Sequence, residues 1–229
     1  MKTGIVAALP QEMATLVRPI PSPGVVVSPR DNVFCILSGV GARCAADAAR
    51  KLLERGIDRL VSWGCAGALA PDLCSGDLLL PEVVITSNHR RWILDEDWRM
   101  KLMLQMGGLC RIRQGSLYTS ELPVTTKSAR KRLYEKTGAI AVDLESSAIA
   151  EFAGRKGIPV VVLRVVADIY ETKIPGVIRD SIGKDGFIDG RAIFRKLLVR
   201  PSEWPNTIRV IREFRASCST LSLIAQKID

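Results

Sequence analysis

The segment that most constrains the fold is Val160–Val166, a run of seven residues that are all apolar except Arg164. A strand with apolar side chains on both faces is typical of a sheet that other elements cover on both sides. Two similar runs, Gly4–Leu9 and Val33–Leu37, alternate along the chain with helical patterns such as Ala42–Arg55. This alternation indicates βαβ units. We therefore predict a three-layer α/β/α fold around a mixed central sheet.

The chain has 229 residues, a length at which an α/β protein is commonly a single domain. We predict one domain over residues 1–229, which ends in a basic helical segment at about 191–229. With 47% apolar and 25% charged residues, the composition excludes a disordered or fibrous protein. No uncharged run reaches the ~18–20 residues of a membrane-spanning helix, and the N-terminus shows no secretory signal, so we expect a cytoplasmic protein.

The cysteines do not predict a metal site. They are Cys35, Cys44, Cys65, Cys74, Cys110 and Cys218, and the only histidine is His89. A zinc site needs about four closely spaced soft ligands, and no C-x-x-C pair is present. Buried thiols are the expected state of cysteines in a reducing compartment. We expect neither a metal nor a cofactor.

Two glycine-containing segments, Ser38–Gly41 and Gly64–Gly67, follow predicted strands. Neither carries a nucleotide motif, because Cys44 replaces the third glycine of a dinucleotide fingerprint and the second segment lacks a P-loop lysine. Each segment by itself is typical of a tight turn. Together, at the carboxyl ends of strands, they favour a small polar ligand whose phosphate or sugar hydroxyls are bound by backbone amides.

Four carboxylates near predicted strand ends are candidates for acid–base or sugar-binding roles. Asp168 follows the buried strand, where desolvation would raise its pKa and suit it to general-acid catalysis. Glu145 and Asp143 lie where a strand gives way to a helix, and a carboxylate there can accept hydrogen bonds from a ribose diol. Glu12 stands at the end of the first strand. The alternative for each acid is structural, as a helix cap or a first-turn residue.

In this order, these features resemble the nucleoside phosphorylase/nucleosidase superfamily, which includes 5′-methylthioadenosine/S-adenosylhomocysteine nucleosidase. The resemblance covers most of residues 1–170. Its segments are Gly4–Ala8 with Glu12, Ser38–Gly41, Gly64–Pro71 with Gly76–Asp77, Val142–Glu145 and Arg164–Asp168. It implies a nucleoside phosphorylase-like domain that cleaves the N-glycosidic bond of a purine nucleoside.

The resemblance also implies a role for each matched residue. Asp168 would protonate or hydrogen-bond the purine N7, and Glu12 would activate water in a hydrolytic enzyme. Glu145 would hold the ribose hydroxyls, with Leu144 packed beneath the sugar. The sugar and nucleophile side would be lined by Cys65, Ala66 and Gly67, and the base pocket would include Val124 and Val142. This division of labour parallels the two carboxylates of glycoside hydrolysis.

The last third of the chain is similar to the hopanoid-associated phosphorylase branch of this superfamily. The similarity rests on Asp185-Gly186 and on Arg200–Pro205, which a basic helix follows. It implies phosphorolysis of adenosylhopane, a lipid-linked nucleoside, with release of adenine during hopanoid side-chain biosynthesis. Cys65, Ala167 and Pro123 depart from the nucleosidase pattern, which usually has serine or threonine, serine and phenylalanine there. A hydrolytic methylthioadenosine nucleosidase is the alternative.

The residues leave the nucleophile open between water and phosphate. Candidate phosphate ligands are Ser38, the amides of Gly39 and Gly67, and Arg43, which lies in the helix after the glycine turn. The alternative for Arg43 is a solvated helix charge. Glu12 argues for water, because a carboxylate repels phosphate. Phosphate as co-substrate rests on the resemblance alone.

The net charge of +9 is concentrated in the segments 127–136 and 191–215. In the final helix the apolar stripe Ile208–Leu221 runs beside arginines, which indicates core packing or peripheral contact with an anionic membrane. No nucleic-acid-binding motif occurs, so we expect no specific nucleic acid partner, although a non-catalytic nucleoside- or polyanion-binding protein is a rival class. The apolar stretch 92–106 could form a pocket entrance, core or a subunit interface. The resemblance implies a homodimer or larger homo-oligomer.

Overall fold

The computed structural model describes residues 1–181 and 190–228, in which helices surround one 11-stranded sheet. In chain order, the strands are β1 (Thr3–Ala7), β2 (Val26–Arg30), β3 (Val33–Leu37), β4 (Arg59–Ala68), β5 (Leu78–Leu79), β6 (Val83–Ile85), β7 (Arg91–Ile93), β8 (Ile112–Arg113), β9 (Ser116–Thr119), β10 (Ala141–Asp143) and β11 (Val160–Asp168). The α-helices of these described residues are α1 (Pro10–Met13), α2 (Ala42–Leu53), α3 (Glu96–Met106), α4 (Lys127–Thr137), α5 (Ser146–Lys156), α6 (Gly176–Arg179), α7 (Gly190–Val199) and α8 (Trp204–Ile224).

The strand order is β2-β3-β1-β4-β10-β9-β6-β7, and β11 pairs with both β4 and β5. The central strands are parallel, because β1 pairs in parallel with β3 and β4, and β11 pairs in parallel with β4. In contrast, β2, β10 and β5 run antiparallel to β3, β4 and β11, respectively. The prediction of a mixed sheet is therefore confirmed.

Alternate residues of β11 contact the two helical layers that cover the sheet. Val160 and Val162 belong to a buried cluster that includes residues of α2 and α5. Val161 and Leu163 belong to a second buried cluster that includes residues of α1, α3 and α8. Cover on both faces explains why this strand is apolar throughout. The three-layer α/β/α prediction is confirmed.

Helix boundaries follow local capping signals. Helix α4 begins after Thr126, whose hydroxyl accepts a hydrogen bond from a backbone amide of the first turn. Helix α5 ends at Gly157, whose φ of +65° is one that glycine adopts without strain. The predicted helix Ser146–Lys156 therefore has the observed bounds. The predicted helix Ala42–Arg55 is two residues too long, because α2 ends at Leu53.

The interpretation of Gly64–Gly67 as a turn is wrong, because the segment lies inside β4. The segment stays extended since β11 continues in parallel beside it, with Arg164 paired to Gly64. Ser38–Gly41 does leave β3 and leads into α2, and Gly41 has a φ of +101°.

The apolar stretch 92–106 is not a pocket entrance, which corrects one of the three alternatives. It forms β7 and α3, and Trp98, Leu102 and Met106 pack into the core cluster beneath α3. Ile93 and Leu104 point outward and are largely exposed. This stretch is therefore partly core and partly surface.

Helix α8 packs on the end of β11 that leads to Asp168. Leu221 and Ile224 are buried in the core, and the Ser217 hydroxyl donates to the Val166 carbonyl at 2.6 Å. Over the described ranges, none of the helices has both the length and the hydropathy to cross a membrane. Asp185-Gly186, which supported the branch resemblance, lies outside the described residues.

Candidate active site

A cavity of about 580 Å³ lies at the ends of β1, β10 and β11, beside the second half of β4. Parallel strands that end at one edge are the usual place for a ligand in such sheets. Nine of the predicted site residues line this cavity: Glu12, Cys65, Ala66, Gly67, Val124, Val142, Leu144, Glu145 and Asp168. The fold thus brings together residues that are far apart in the chain.

Glu12 is buried among three backbone amides. Its Oε2 accepts hydrogen bonds from the amides of Ala8 (3.1 Å) and Leu9 (2.9 Å), and its Oε1 accepts one from Cys65 (2.8 Å). Burial raises the pKa of Glu12, while the Arg164 guanidinium and these amides oppose the rise. Because a carboxylate can accept about four hydrogen bonds, Glu12 retains capacity for a water molecule.

Arg164 is buried within β11 and connects the acids of the site. Its Nη2 lies 2.9 Å from Asp143 Oδ2 and 3.3 Å from Glu145 Oε2. The same nitrogen donates to Ser62 Oγ at 3.0 Å. A buried cation needs such partners, because its desolvation is costly when it is unpaired. These contacts explain the single charge in an apolar strand.

Glu145 stands immediately before α5 and faces the cavity. Its Oε1 accepts a hydrogen bond from the Gly41 amide at 2.9 Å, which brings the glycine turn after β3 to the site. Burial raises the pKa of Glu145 to about 7; the Arg164 guanidinium opposes the rise, and the neighbouring Asp143 carboxylate adds to it. Asp143 itself accepts from Thr119 Oγ1 at 2.7 Å and holds Arg164, a structural role.

Asp168 ends β11 and forms an ion pair with Arg130 of α4. Arg130 is 0% exposed, and its Nη1 also donates to the carbonyl oxygens of Ala68 (3.0 Å) and Ile169 (3.1 Å). Burial raises the pKa of Asp168, and the Arg130 guanidinium opposes the rise. The desolvation that the position of Asp168 predicts is present, and a raised pKa suits a general acid near neutral pH.

Two glycines of β4 make room for these side chains. A Cβ at Gly64 would lie 2.5 Å from Glu12 Oε1 and 2.5 Å from Arg164 Nη1. A Cβ at Gly67 would lie 2.9 Å from Asp168 Oδ2. All three distances are shorter than non-bonded contacts allow. The glycines therefore serve close packing around the carboxyl groups rather than a turn.

The cysteines of the described residues are all free thiols. A hydrogen bond with Cys218 of α8, together with burial, raises the pKa of the Cys65 thiol well above its usual range. Because the thiolate is the reactive form, Cys65 is a wall of the cavity rather than a nucleophile. The expectation of buried thiols holds for Cys35, whereas Cys74 is exposed.

Three residues predicted for phosphate binding lie outside the cavity lining, namely Ser38, Gly39 and Arg43. The Ser38 hydroxyl donates to the carbonyl of Gly39 at 2.8 Å, and Arg43 is exposed on the first turn of α2. Across the described ranges, the lining contains four acids and one basic side chain, Arg215 of α8. In the same ranges, no group of three or more His, Cys, Asp or Glu side chains could hold a metal ion.

The sequence prediction missed the two buried arginines of the site, Arg130 and Arg164, and one wall of the cavity. The sequence did indicate a role for Arg164, since a charge inside an apolar strand requires a buried partner. Nothing in the sequence indicates that Arg130 is buried, because it lies in a basic run and its partner is 38 residues away. The missed wall consists of Val210, Ile211 and Phe214 of α8, which belong to the apolar side of the final helix.

The fold and the cavity define an α/β protein with an acid-lined ligand site at the ends of its parallel strands. The model of the phosphorylase superfamily matches residues 2–181, and the chain belongs to this superfamily. It is 25% identical over 225 residues to the 5′-methylthioadenosine/S-adenosylhomocysteine nucleosidase of Mycobacterium bovis, with 72% of this chain and 85% of that protein covered.

Solved structures share the fold over the whole chain. The Helicobacter pylori MTAN mutant with 5′-methylthioadenosine in the active site has a TM-score of 0.71 and 16% identity, with 99% of each chain covered. Native futalosine hydrolase of Helicobacter pylori has a TM-score of 0.70 and 14% identity, with 100% of this chain and 98% of that chain covered. These likenesses confirm the predicted nucleoside phosphorylase-like fold.

Proposed function

We propose that the protein cleaves the N-glycosidic bond of an adenosine-type nucleoside and releases adenine. The observation that carries this proposal is the convergence of Glu12, Glu145 and Asp168 on one cavity, each with a raised pKa; Glu12 and Glu145 are buried, and Asp168 is mostly buried. Membership of the phosphorylase superfamily and similarity to a protein named as a methylthioadenosine nucleosidase support the same reaction class.

Asp168 is the general acid of this proposal. A purine is a poor leaving group as an anion, so a proton given to N7 allows the base to leave as a neutral molecule. The electron pair of the bond between C1′ and N9 then moves into the base. Val124 and Val142 line the same cavity and offer the base an apolar surface. General-acid catalysis of this kind contributes roughly 10²–10⁴-fold in rate.

Glu145 is the ribose-binding residue, with Leu144 beside it in the lining. Its carboxyl group can accept hydrogen bonds from the two ribose hydroxyls. Bond cleavage leaves positive charge on the ribosyl ring, and nearby carboxylates stabilise such an oxocarbenium-like state.

The charges of the cavity favour water as the nucleophile. Glu12 has a raised pKa and spare acceptor capacity, which suit a general base for water. A phosphate ion would meet four acids and one arginine in the lining. Phosphorolysis is the second candidate, and Arg215 is the observation that favours it, because a guanidinium is a good phosphate ligand.

The wall formed by α8 supports a substrate with an apolar group at the 5′ carbon. Val210, Ile211 and Phe214 line the cavity together with Ile174 and Ile178. The resemblance to the hopanoid-associated branch makes adenosylhopane the specific candidate. The smaller 5′-methylthioadenosine is the alternative, and the nucleosidase likeness supports it equally.

The proposal extends to assembly and location. The family resemblance implies a homodimer or larger homo-oligomer, and burial of the mostly exposed Ile93, Leu104 or Leu122 in an interface would be favourable. Exposed Leu198 and Val199 lie next to a basic helix, which favours peripheral contact of a cytoplasmic protein with an anionic membrane. A lipid-linked nucleoside would be found there.

The direct test is chromatographic detection of free adenine from adenosylhopane and from 5′-methylthioadenosine, each with and without phosphate. We expect release without phosphate, and we expect Asp168→Asn to lower the rate by at least ~10²-fold because the acid is lost. Asp47→Asn, a change of the same type at an exposed site on α2, should leave the rate unchanged.

The outcomes separate the alternatives. Release that requires phosphate would identify a phosphorylase, and release from the lipid substrate alone would assign it to hopanoid synthesis. If folded protein released no adenine from either substrate, a nucleoside- or polyanion-binding function would replace the enzyme.

A further inference from the structure

Arg130 is a buried cation for which the proposed reaction has no role. It lies on α4, is 0% exposed and points its terminal nitrogens at the end of β11. Nη1 donates to the carbonyl oxygens of Asp168 (3.3 Å) and Ile169 (3.1 Å), and Nη2 binds the Asp168 carboxyl group. One guanidinium thus holds both the backbone and the side chain of the general acid.

Over the described ranges, the orientation of the Asp168 carboxyl group depends on this contact. Oδ2 is bound by Arg130, and no hydrogen-bond donor of those ranges reaches Oδ1. The preceding residue, Ala167, has no side-chain donor that could share the task. Gly67 leaves the space in which the carboxyl group lies, since a Cβ there would be 2.9 Å from Oδ2.

We propose that Arg130 is the positioning residue for the general acid, because it binds Oδ2 of Asp168 and leaves Oδ1 to meet the nucleoside base. This inference rests on the function proposed above. As the proton passes from Asp168 to the purine nitrogen and the glycosidic electron pair enters the base, Asp168 becomes a carboxylate. Arg130 then faces a full negative charge in a buried site, where the attraction is stronger than in water.

Arg130 also opposes the effect of burial on Asp168. Burial raises the pKa of Asp168, Arg130 lowers it, and Glu213 of α8 raises it further. Glu213 is itself partly compensated, since it accepts from Arg209 Nε at 2.8 Å and from Thr172 Oγ1 at 3.0 Å. A neutral side chain at position 130 should therefore raise the pKa of Asp168. A lysine should keep the charge but lose the planar fork.

The test compares the pH profile of kcat/KM in the parent, Arg130→Met and Arg130→Lys. We expect Arg130→Met to lower kcat by about 10²-fold with little change in KM, because the acid is misplaced. The fall in kcat/KM at alkaline pH, the alkaline limb of the profile, should occur at higher pH in Arg130→Met than in the parent. Arg130→Lys should keep the limb near its original position and recover part of kcat. Arg132→Met, an exposed change on the same helix, should alter neither.

A carboxyl 13C NMR titration of Asp168, assigned with Asp168→Asn, needs no turnover. A higher Asp168 pKa in folded Arg130→Met would support the inference even if no nucleoside were cleaved. An unchanged pKa and an unmoved limb, with activity lost only in proportion to folded protein, would overturn it. If Arg130→Met does not fold, Arg130→Lys provides the test. A full kcat in Arg130→Lys would contradict a positioning role for the planar guanidinium group.

Discussion

The three catalytic-site acids, Glu12, Glu145 and Asp168, are each compensated in a different way. Glu12 relies on backbone amides, Glu145 on an amide and Arg164, and Asp168 on Arg130. In each case burial still outweighs its partners and raises the pKa. Each of these acids therefore releases its proton at a higher pH than an exposed carboxyl group of its type, which is the direction that acid–base catalysis near neutral pH requires.

Glu145 should make the stability of the protein depend on pH in a defined direction. Its pKa is about 7 in the folded chain against an ordinary value of 4.5, so the folded state binds more protons between these values. The stability that the group contributes is therefore present below pH 4.5 and lost as the pH rises through 7. The loss is roughly 3 kcal/mol in total. Urea unfolding of the parent and Glu145→Gln across this range measures it.

Glu54→Gln is the matched control, since Glu54 is exposed at the end of α2. Its free energy of unfolding should differ from that of the parent by a small amount at every pH. A constant difference between the parent and Glu145→Gln would contradict a raised pKa at Glu145.

At the residue scale, the sequence was sufficient to nominate the acids but not their partners. A carboxylate after an apolar strand is visible in the chain, as Asp168 and Glu12 were. In the sequence, an arginine such as Arg130 cannot be distinguished from a surface arginine, because its partner Asp168 is close only in the folded chain. Gly64 and Gly67 were misinterpreted for the same reason, because their neighbours come from α1 and β11.

At the scale of elements, helix α8 joins the core to the cavity. One part of its surface packs against β11 through Leu221 and Ser217, and another lines the cavity through Val210 and Phe214. Because its apolar stripe serves both purposes, the sequence pattern alone could not separate a core helix from a cavity wall. The two-residue strand β8 was similarly hard to predict, since its pairing with β5 depends on residues distant in the chain.

The cavity face of α8 should determine how well an apolar 5′ group is accepted. Ile211 lines the cavity yet is 42% exposed, so a polar replacement should cost little stability. We expect Ile211→Asn to lower kcat/KM for 5′-hexylthioadenosine by about tenfold, as expected if contact with about two methylene groups is lost. Adenosine, which lacks the apolar group, should be unaffected. Steady-state adenine release measures both.

Ile208→Asn provides the comparison on the same helix. Ile208 is 59% exposed and does not belong to the cavity lining. Equal losses for both variants, or an equal loss for both substrates, would show that α8 does not select the 5′ group.

At the scale of the whole molecule, the central sheet was predictable because its strands are continuous and apolar. The excess of positive charge was harder to interpret. In the basic run 127–136, Arg130 is buried in the site and Lys127 pairs with Glu171. Near the final helix, Arg200 and Arg209 have acidic partners, but over the described ranges Arg195, Arg212 and Arg215 form no ion pair. Arginines without an ion pair therefore lie on both α7 and α8.

The basic surface of α7 and α8 should bind anionic lipid vesicles in a flotation assay. Arginines without acidic partners lie on the same two helices as exposed Leu198, Val199 and Ile208, a combination that favours the surface of an anionic bilayer. Each arginine near such a surface contributes about 1 kcal/mol, so Arg195→Gln with Arg212→Gln should weaken binding by about 30-fold. Binding should fall as salt rises from low to physiological concentration.

The matched control removes two positive charges from exposed positions outside α7 and α8. Arg55→Gln with Arg132→Gln changes two exposed arginines, one just after α2 and one on α4. If overall charge alone attracted the vesicles, both double variants would lose the same affinity. A larger loss for the α7 and α8 pair would localise the contact to the side of the molecule where α8 also lines the cavity. Absence of flotation at both salt concentrations would reject the membrane contact, and the basic surface would then need another explanation.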